Sequence, residues 1–288
     1  FKPASGDISK TGAWPDLPGC YTDSWLCAGP ITRSVRDARL LYTILSGKSL
    51  PPPTVDRAVR IVIPDDFPLK LLSPVIPAAV EAGREALAGA GARIERRPIG
   101  DVRRWYRDMV RYLGWELLPL FRQQLAGGAD RRLSIARETW LRWKGASDLY
   151  DGLYRLLVIG SATRFRRASA AGRAVARFEA ARIAVREMLG DDGLLLLPTL
   201  GTLAPRHGHM NRLSFKPGVN GVMTPLTLCN YLNLPAITVP AWRHQDPGTG
   251  LAPGVMLVAR PGSESLLLDM AERLERAIGR DWAGESRC

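Results

Sequence analysis

Four leucines in a row, Leu194 to Leu197, closed by Pro198, constrain the fold more than any other stretch of the sequence. A half-exposed strand alternates apolar and polar residues, whereas an unbroken apolar run belongs in a sheet covered on both faces. The segments on either side agree with that setting. Val59 to Ile63 reads as a strand, and Ser73-Pro74 as a helix start, with serine as the cap and proline in the first turn. Ile76, Val80, Gly83 and Leu87 supply that helix's inner face, Gly89 and Gly91 stop it, and Arg93 to Arg97 returns as a polar-faced strand around Ile94. Strand, helix, strand over this span predicts an α/β unit with a right-handed crossover and a partly parallel sheet. After Pro198, Thr224-Pro225 starts a short helix, and Ala236 to Val239 and Val255 to Val258 are further strands. Ser263 then caps a last helix carrying Leu266, Leu267, Met270, Leu274 and Ile278.

A second constraint lies near the start, in Gly29-Pro30-Ile31-Thr32-Arg33-Ser34-Val35-Arg36-Asp37. Gly-Pro halts the extended segment through Trp25-Leu26-Cys27, and Thr32 or Ser34 can cap the helix that follows. Val35, Ala38, Leu41, Ile44 and Leu45 recur at helical spacing and predict a core-facing stripe, with Gly47 as the stop. Arg33 and Asp37, four apart, share one helical face: either an organising pair at the rim of a core or a surface pair of about 0.3–0.5 kcal/mol. Residues 1–28 read as ordered loop with turn chemistry at Asp7, Thr11, Asp16 and Ser24, and Pro51-Pro52-Pro53 as a stiff connector.

Residues 101–190 change character. Val102, Trp105, Met109, Leu113, Leu117 and Leu120 predict a long helix bent at Pro119, interrupted by Gly127-Gly128. Shorter helical pieces follow at Leu133–Trp143 and Leu149–Ile159, then a long helix from about Ala168 to Leu189. Trp105, Trp115, Trp140, Trp143, Phe165 and Phe178 are either helix-packing residues or the lining of an apolar substrate pocket.

Charge sets the next limits. The chain carries +12, and between Asp101 and Glu187 there are 18 Arg or Lys against 9 Asp or Glu. Such an excess invites nucleic acid or an anionic surface, but the arginines are dispersed along amphipathic helices without aromatic interleaving, which favours a solvated face. No run of about twenty apolar residues exists, so a membrane-spanning helix is not expected. The start lacks a basic-then-apolar leader, and Phe1-Lys2-Pro3 reads like the middle of a domain, so a partial sequence, a processed product or one of two subunits is expected. Cys20, Cys27, Cys229 and Cys288 match no metal or redox spacing, and reduced thiols in a cytoplasmic protein are the expectation. His207-x-His209 lacks a completing acid or cysteine nearby, His244 stands alone beside Asp246, and Gly248-Thr249-Gly250 lacks the lysine of a phosphate loop. No metal and no cofactor is implied.

Several of these elements together resemble the amidase-signature family. Lys2-Pro3-Ala4 with the Gly-Pro-Ile-Thr-Arg-Ser-Val-Arg-Asp run is similar to the part just downstream of that family's Gly/Ser-rich catalytic loop. Leu197-Pro198-Thr199 with Ala204-Pro205 resembles its Pro-Thr and Ala-Pro segment. Asn230-Tyr231-Leu232-Asn233-Leu234-Pro235-Ala236 resembles its Asn-x-x-Gly-x-Pro-Ala element, with Asn233 at the glycine position. Asparagine is the other residue that readily adopts a left-handed backbone, which makes the exchange tolerable. Gly250 to Val258 is similar to Gly-Leu-Pro-x-Gly-x-Gln-x-Val, with Ala252 at the proline and Met256 at the glutamine, and residues 270–275 resemble its terminal helix. Gly12-Ala13-Trp14-Pro15 and Leu26-Cys27-Ala28-Gly29-Pro30 look most like the fatty-acid-amide-hydrolase-like branch.

The resemblance implies an α/β fold with a mixed sheet flanked by helices, residues 1–288 being the C-terminal portion of one amidase domain and 101–190 a helical insertion. It implies hydrolysis of a small-molecule carboxylic amide, with apolar acyl amides favoured, through a serine–serine–lysine relay. No Gly-Gly-Ser-Ser-Gly-Gly run occurs, and the adjacent Ser9-Lys10 in a polar loop does not reproduce a buried relay, so no catalytic residue is assigned. The chain alone is expected to be inactive. A homodimer is left open. The alternative is a non-catalytic or tRNA/nucleic-acid-binding protein on an amidase-like fold.

Overall fold

The leucine run forms a strand, Gly193–Pro198, with every residue buried. It sits in a computed structural model that describes residues 1–13, 17, 19–51, 58–126, 133–207 and 219–280. In chain order the elements are α1 (Val35–Ser46), β1 (Arg60–Pro64), α2 (Val75–Gly89), β2 (Arg93–Arg97), α3 (Val102–Gln124), α4 (Ile135–Trp143) and α5 (Asp151–Thr163). They continue with α6 (Ala168–Leu189), β3 (Gly193–Pro198), α7 (Val219–Tyr231), β4 (Ala236–Pro240), β5 (Gly254–Val258) and α8 (Glu264–Ile278). Short 3-10 turns lie at Tyr21–Trp25 and Trp242–His244.

The five strands form one mixed sheet in the order β2-β1-β3-β5-β4. β1 runs parallel to β2, with Ile61 opposite Ile94, and parallel to β3, with Ile61 opposite Leu194. β5 is antiparallel to both of its neighbours. The central place of β3 explains its composition. Leu194 and Leu196 join the core made with α2 and α8, while Leu195 and Leu197 are equally buried on the opposite face. β2 is an edge strand, which is why Arg93, Arg96 and Arg97 are tolerated there.

The chain divides into two compact units. One comprises Phe1–Thr11, Ser24–Val102 and Ala180–Cys288 and holds the whole sheet; the other comprises Gly12–Asp23 and Arg103–Glu179 and is helical. In the first, α2 approaches β5 and α8 so closely that a Cβ on Gly83 would stand 3.2 Å from Leu274 Cδ1 and 3.3 Å from Val255 Cγ1. Leu266, Leu267, Met270, Leu274 and Ile278 are all buried, and each such side chain contributes roughly 1.5–3 kcal/mol of burial.

α1 buries the first two residues of the expected stripe but turns away from its second half. Val35, Ala38 and Tyr42 face inward, while Leu41, Ile44 and Leu45 are exposed. Polar contacts set this rotation. The Glu275 carboxylate accepts from Val35 N through both oxygens at 3.1 Å, Arg39 pairs with Asp269 and Glu272, and Tyr42 donates to Asp7 at 2.7 Å. Arg33 and Asp37 do not pair; Asp37 contributes its backbone N–H, which donates to the Ser34 hydroxyl that caps the helix. Gly47, in the left-handed region at φ 66°, ends it as expected.

Two other expected caps are not made. Pro74, not Ser73, is the N-cap of α2, with no side-chain cap, and Ser263 precedes α8 without its hydroxyl capping. α7 begins well before Thr224-Pro225 and carries Pro225 inside it. Proline cannot donate to the carbonyl four residues back, and that carbonyl, Gly221 O, accepts instead from Lys70 N at 3.1 Å.

In the helical unit, α3 continues through Pro119. α3 and α5 cross at paired glycines: a Cβ on Gly114 would lie 2.5 Å from Gly160 O. Glu116 accepts from Tyr21 N, Thr22 N and the Thr22 hydroxyl at 2.9, 2.8 and 2.6 Å, which ties the first segment of the unit to α3. Trp105, Phe165 and Phe178 are buried as packing residues, whereas Trp140 and Trp143 on α4 are exposed. Among the described residues no helix is long and apolar enough to cross a membrane. Pro52-Pro53, Gly127-Gly128, Asp16 and the Trp14-Pro15 pair lie outside the described residues.

These caps give a direct comparison. Ser34→Ala is expected to lower stability by about 1 kcal/mol in denaturant unfolding followed by circular dichroism, while Ser73→Ala changes it by less than about 0.5 kcal/mol.

Candidate functional site

The segments singled out in the sequence gather at two places in the sheet-bearing unit. The first is the outer edge of β4. Lys2 and Ala236 exchange two backbone hydrogen bonds of 2.8 Å, so the start of the chain pairs antiparallel with this edge. The Phe1 nitrogen donates to Pro30 O at 2.8 Å, and the Phe1 ring meets Tyr42 edge-on at 5.2 Å. Gly29 is required by this approach, because a Cβ there would lie 2.2 Å from Phe1 O and 2.9 Å from Pro3 Cδ.

Asn233 closes α7. Leu234 N donates to Cys229 O and Asn233 N to Asn230 O, the double bond of a helix end that needs a left-handed residue between them. Asn233 has φ 48°, the one positive φ outside glycine among the described residues, as its place in the motif predicts. Its side-chain oxygen also accepts from Ser5 N at 2.7 Å, a bond that glycine could not make. Lys2 Nζ donates to Leu234 O at 3.1 Å, so its ammonium serves the same turn.

Two thiols stand in the electrostatic reach of Lys2. Burial raises the Cys27 thiol above its ordinary range, with Lys2 acting against that effect. Cys229 is pushed up to about 12, mainly by burial. Both are protonated near neutral pH and behave as small apolar groups rather than nucleophiles. Cys20, Cys27 and Cys229 are free, and Cys288 lies outside the described residues.

The second place is the carboxyl end of β3, where binding residues collect in parallel sheets. Thr199 N donates to Gly254 O at 2.9 Å, and the Thr199 and Thr238 hydroxyls are 3.0 Å apart. A Cβ on Gly254 would stand 2.6 Å from Thr199 Oγ1, which explains the glycine in that motif. Met256, at the family's glutamine position, is buried between Leu197 and Thr238 on the neighbouring strands. Gly201 N donates to Val222 O and Gly201 O accepts from Leu72 N, with Lys70 O only 2.1 Å from where a Cβ would be. Sequence spacing does not single out Gly201, Gly221 or the residues 68–72 that they pack against; the glycines are the only visible signal.

The remaining candidates are dispersed. The Ser9 hydroxyl is exposed and shares a 2.9 Å hydrogen bond with Thr11, so it belongs to a surface turn. His207 is exposed, and His209 lies outside the described residues. Asp246 accepts from the Thr249 hydroxyl at 2.7 Å and from Gly250 N, so Gly248-Thr249-Gly250 is a surface turn. Among the described residues no cluster of three or more His, Cys, Asp or Glu is placed to hold a metal. The two assembled regions thus fix the course of the backbone through hydrogen bonds and close approach of main chain.

Comparison with known proteins gives these positions a context. A family model described as Amidase matches residues 1–268. A glutamyl-tRNA(Gln) amidotransferase subunit from Aliarcobacter butzleri is 25% identical over 311 residues, covering 96% of this chain and 62% of that protein. Fatty-acid amide hydrolase 2-B of Danio rerio is 24% identical, covering 96% of this chain and 53% of its own length. The solved structure of 6-aminohexanoate cyclic dimer hydrolase complexed with substrate superimposes with a TM-score of 0.72 at 22% identity, over 97% of this chain and 60% of that one. The chain therefore spans little more than half the length of these relatives, and at such identities their differing names single out no branch.

Two outcomes follow from the geometry at β4. Gly29→Ala forces backbone apart and is expected to cost about 1–3 kcal/mol in denaturant unfolding. For Cys229, the unfolded chain loses its proton above the ordinary value of 9 while the folded chain keeps it to about 12. The unfolded state then binds fewer protons, so stability declines as pH rises through that window. Cys229→Ala should flatten this decline in unfolding curves measured between those pH values.

Proposed function

The chain belongs to the amidase family, and from that premise we propose that it is the C-terminal portion of an enzyme hydrolysing carboxylic amides through a serine acyl-enzyme. The observation that carries the reading is the convergence at the β4 edge. Lys2, Gly29-Pro30 and Asn233 come from three separate family-like segments and lock one another by hydrogen bonds and close approach. On this reading residues 1–288 supply the scaffold and part of the substrate pocket, and residues 101–190 are an insertion in one amidase domain. A Gly/Ser-rich loop and a lysine from a segment preceding Phe1 supply nucleophile, relay and oxyanion donors.

The substrate reading is apolar acyl amides. Its support is the aromatic and aliphatic character of the helical unit, including the exposed Trp140 and Trp143, together with the fatty-acid amide hydrolase among the relatives. The alternative, a tRNA- or nucleic-acid-binding protein on this fold, rests on charge excess and on the presence of a tRNA-linked amidotransferase among the relatives.

The test is a comparison of two proteins. Residues 1–288 alone are expected to show no labelling by a fluorophosphonate serine-hydrolase probe and no release of ammonia or amine from an amide library. The longer reading frame, bearing the lysine and Gly/Ser loop, is expected to do both and to prefer long apolar acyl groups. Labelling of residues 1–288 alone would overturn the placement of the nucleophile. A well-folded longer form without any amide hydrolysis would overturn the function.

A further inference from the structure

The helical unit holds a cleft of about 530 Å³ between α3 and α6 whose walls carry Arg104, Arg107 and Arg111 from one helix and Arg173 and Arg177 from the other. The arginines recur on α3 at intervals of three and four and on α6 at four, so each set occupies a single helical face. Among the described residues that line the cleft, the one carboxylate is Asp108. Asp108, 4% exposed, accepts from Arg177 Nε at 2.8 Å and pairs with its Nη2 at 2.7 Å. That pair anchors Arg177, beside which Arg107, Arg111 and Arg173 line the cleft. Arg111 Cζ sits over the buried Phe165 ring, 4.5 Å from its centroid, a cation–π contact that helps to hold the guanidinium at the cleft. Arg107 and Arg173 make no ion pair with any described carboxylate.

Like charges at helical neighbour spacing repel, and the fold facing two such rows across one cleft adds to that repulsion. A surface face that only needed solubility would be spread around the helices and interrupted by acids. We propose that this cleft binds a small phosphate-bearing molecule, with Arg107, Arg111 and Arg173 as its phosphate ligands and Arg177 held in place by Asp108. Guanidinium forks match phosphate oxygens two at a time, and several together suit a group of more than one negative charge. The cleft is larger than a bare phosphate and falls in the size range of small-molecule sites, so an organic phosphate or diphosphate ester fits better than an inorganic ion. Its bounded volume also suits a compact ligand better than a nucleic-acid backbone, which tracks an extended groove.

Inorganic pyrophosphate is the probe, titrated calorimetrically into the full chain at low salt, with no amide substrate present, so the outcome is separable from the amidase reading. One-to-one saturable binding is expected below about 1 mM. The double variant Arg107→Gln/Arg173→Gln should weaken it by at least about tenfold, since charge-assisted bonds are lost. Arg84→Gln, on α2 and paired with Glu81, should leave it unchanged. On the unmodified chain, pyrophosphate should protect Arg107, Arg111 and Arg173 from phenylglyoxal, read by mass spectrometry, whether or not the variant folds. Absence of saturable binding, equal binding by the double variant with no protection, or tRNA binding that pyrophosphate does not displace would each overturn the proposal.

Discussion

β3 has no polar face, and the sheet-bearing unit is arranged to keep both of its faces dry. Leucine at four successive positions commits the strand to the middle of the sheet, where β1 and β5 take its two edges. β1 runs parallel to it and β5 antiparallel, so the sheet is mixed. Strands with fewer apolar residues fall to the rim. β2, with three arginines in five residues, closes one side. Arg60 draws the parallel side together: its guanidinium reaches Asp192 before β3, Glu95 on β2 and the Leu189 carbonyl at the end of α6. Hydrogen bonding to Asp192 holds that guanidinium charged beyond its ordinary range.

The opposite side of the sheet ends differently. β4 is covered on its outer edge by Lys2, and this single bridge brings together segments more than two hundred residues apart in sequence. The turn after α7, the Gly-Pro step before α1 and the first residues of the chain become mutually dependent there. Each uses a different device: a left-handed asparagine, a glycine that admits backbone, and a lysine that satisfies a carbonyl. Close approach of main chain, rather than any reactive side chain, is the common theme of the family-like positions in this part of the molecule. The same holds at the carboxyl end of β3, where Gly254 admits Thr199 and Gly201 admits Lys70.

Charge is distributed unevenly between the two units. Around the sheet, ion pairs link elements: Arg39 joins α1 to α8 and Arg60 joins β1 to β2. In the helical unit, arginines of α3 and α6 outnumber the acids facing them, and Asp108 balances only Arg177. Buried aromatic packing adds to the ion pairs that link α3 to α6 and α4 to α5 in that unit. Tyr21, Tyr112 and Phe178 form a ring cluster beside Glu116; burial, and after it the Glu116 carboxylate, raises the Tyr112 hydroxyl above its ordinary range and keeps it protonated.

The sequence by itself determined the α/β class, the five strands to within a residue or two, the long helices and the left-handed turn at Asn233. These are local matters of apolar period, helix stops and backbone freedom, and they are written in consecutive residues. Tertiary structure decided the remainder. On α1, periodicity places Val35 and Ala38 inward, as the structure does, but continues the stripe through Leu41, Ile44 and Leu45, where the fold buries Tyr42 instead. Contacts from Glu275, Asp269 and Asp7, distant in sequence, made that choice. Pro225 reads as a helix start until Lys70 N is found on the carbonyl it leaves unpaired. Ser73 and Ser263 have the residue type of a cap without its geometry. Gly29 shows its purpose only when Phe1 lies against it, because a close approach is a property of two segments and neither one records it alone.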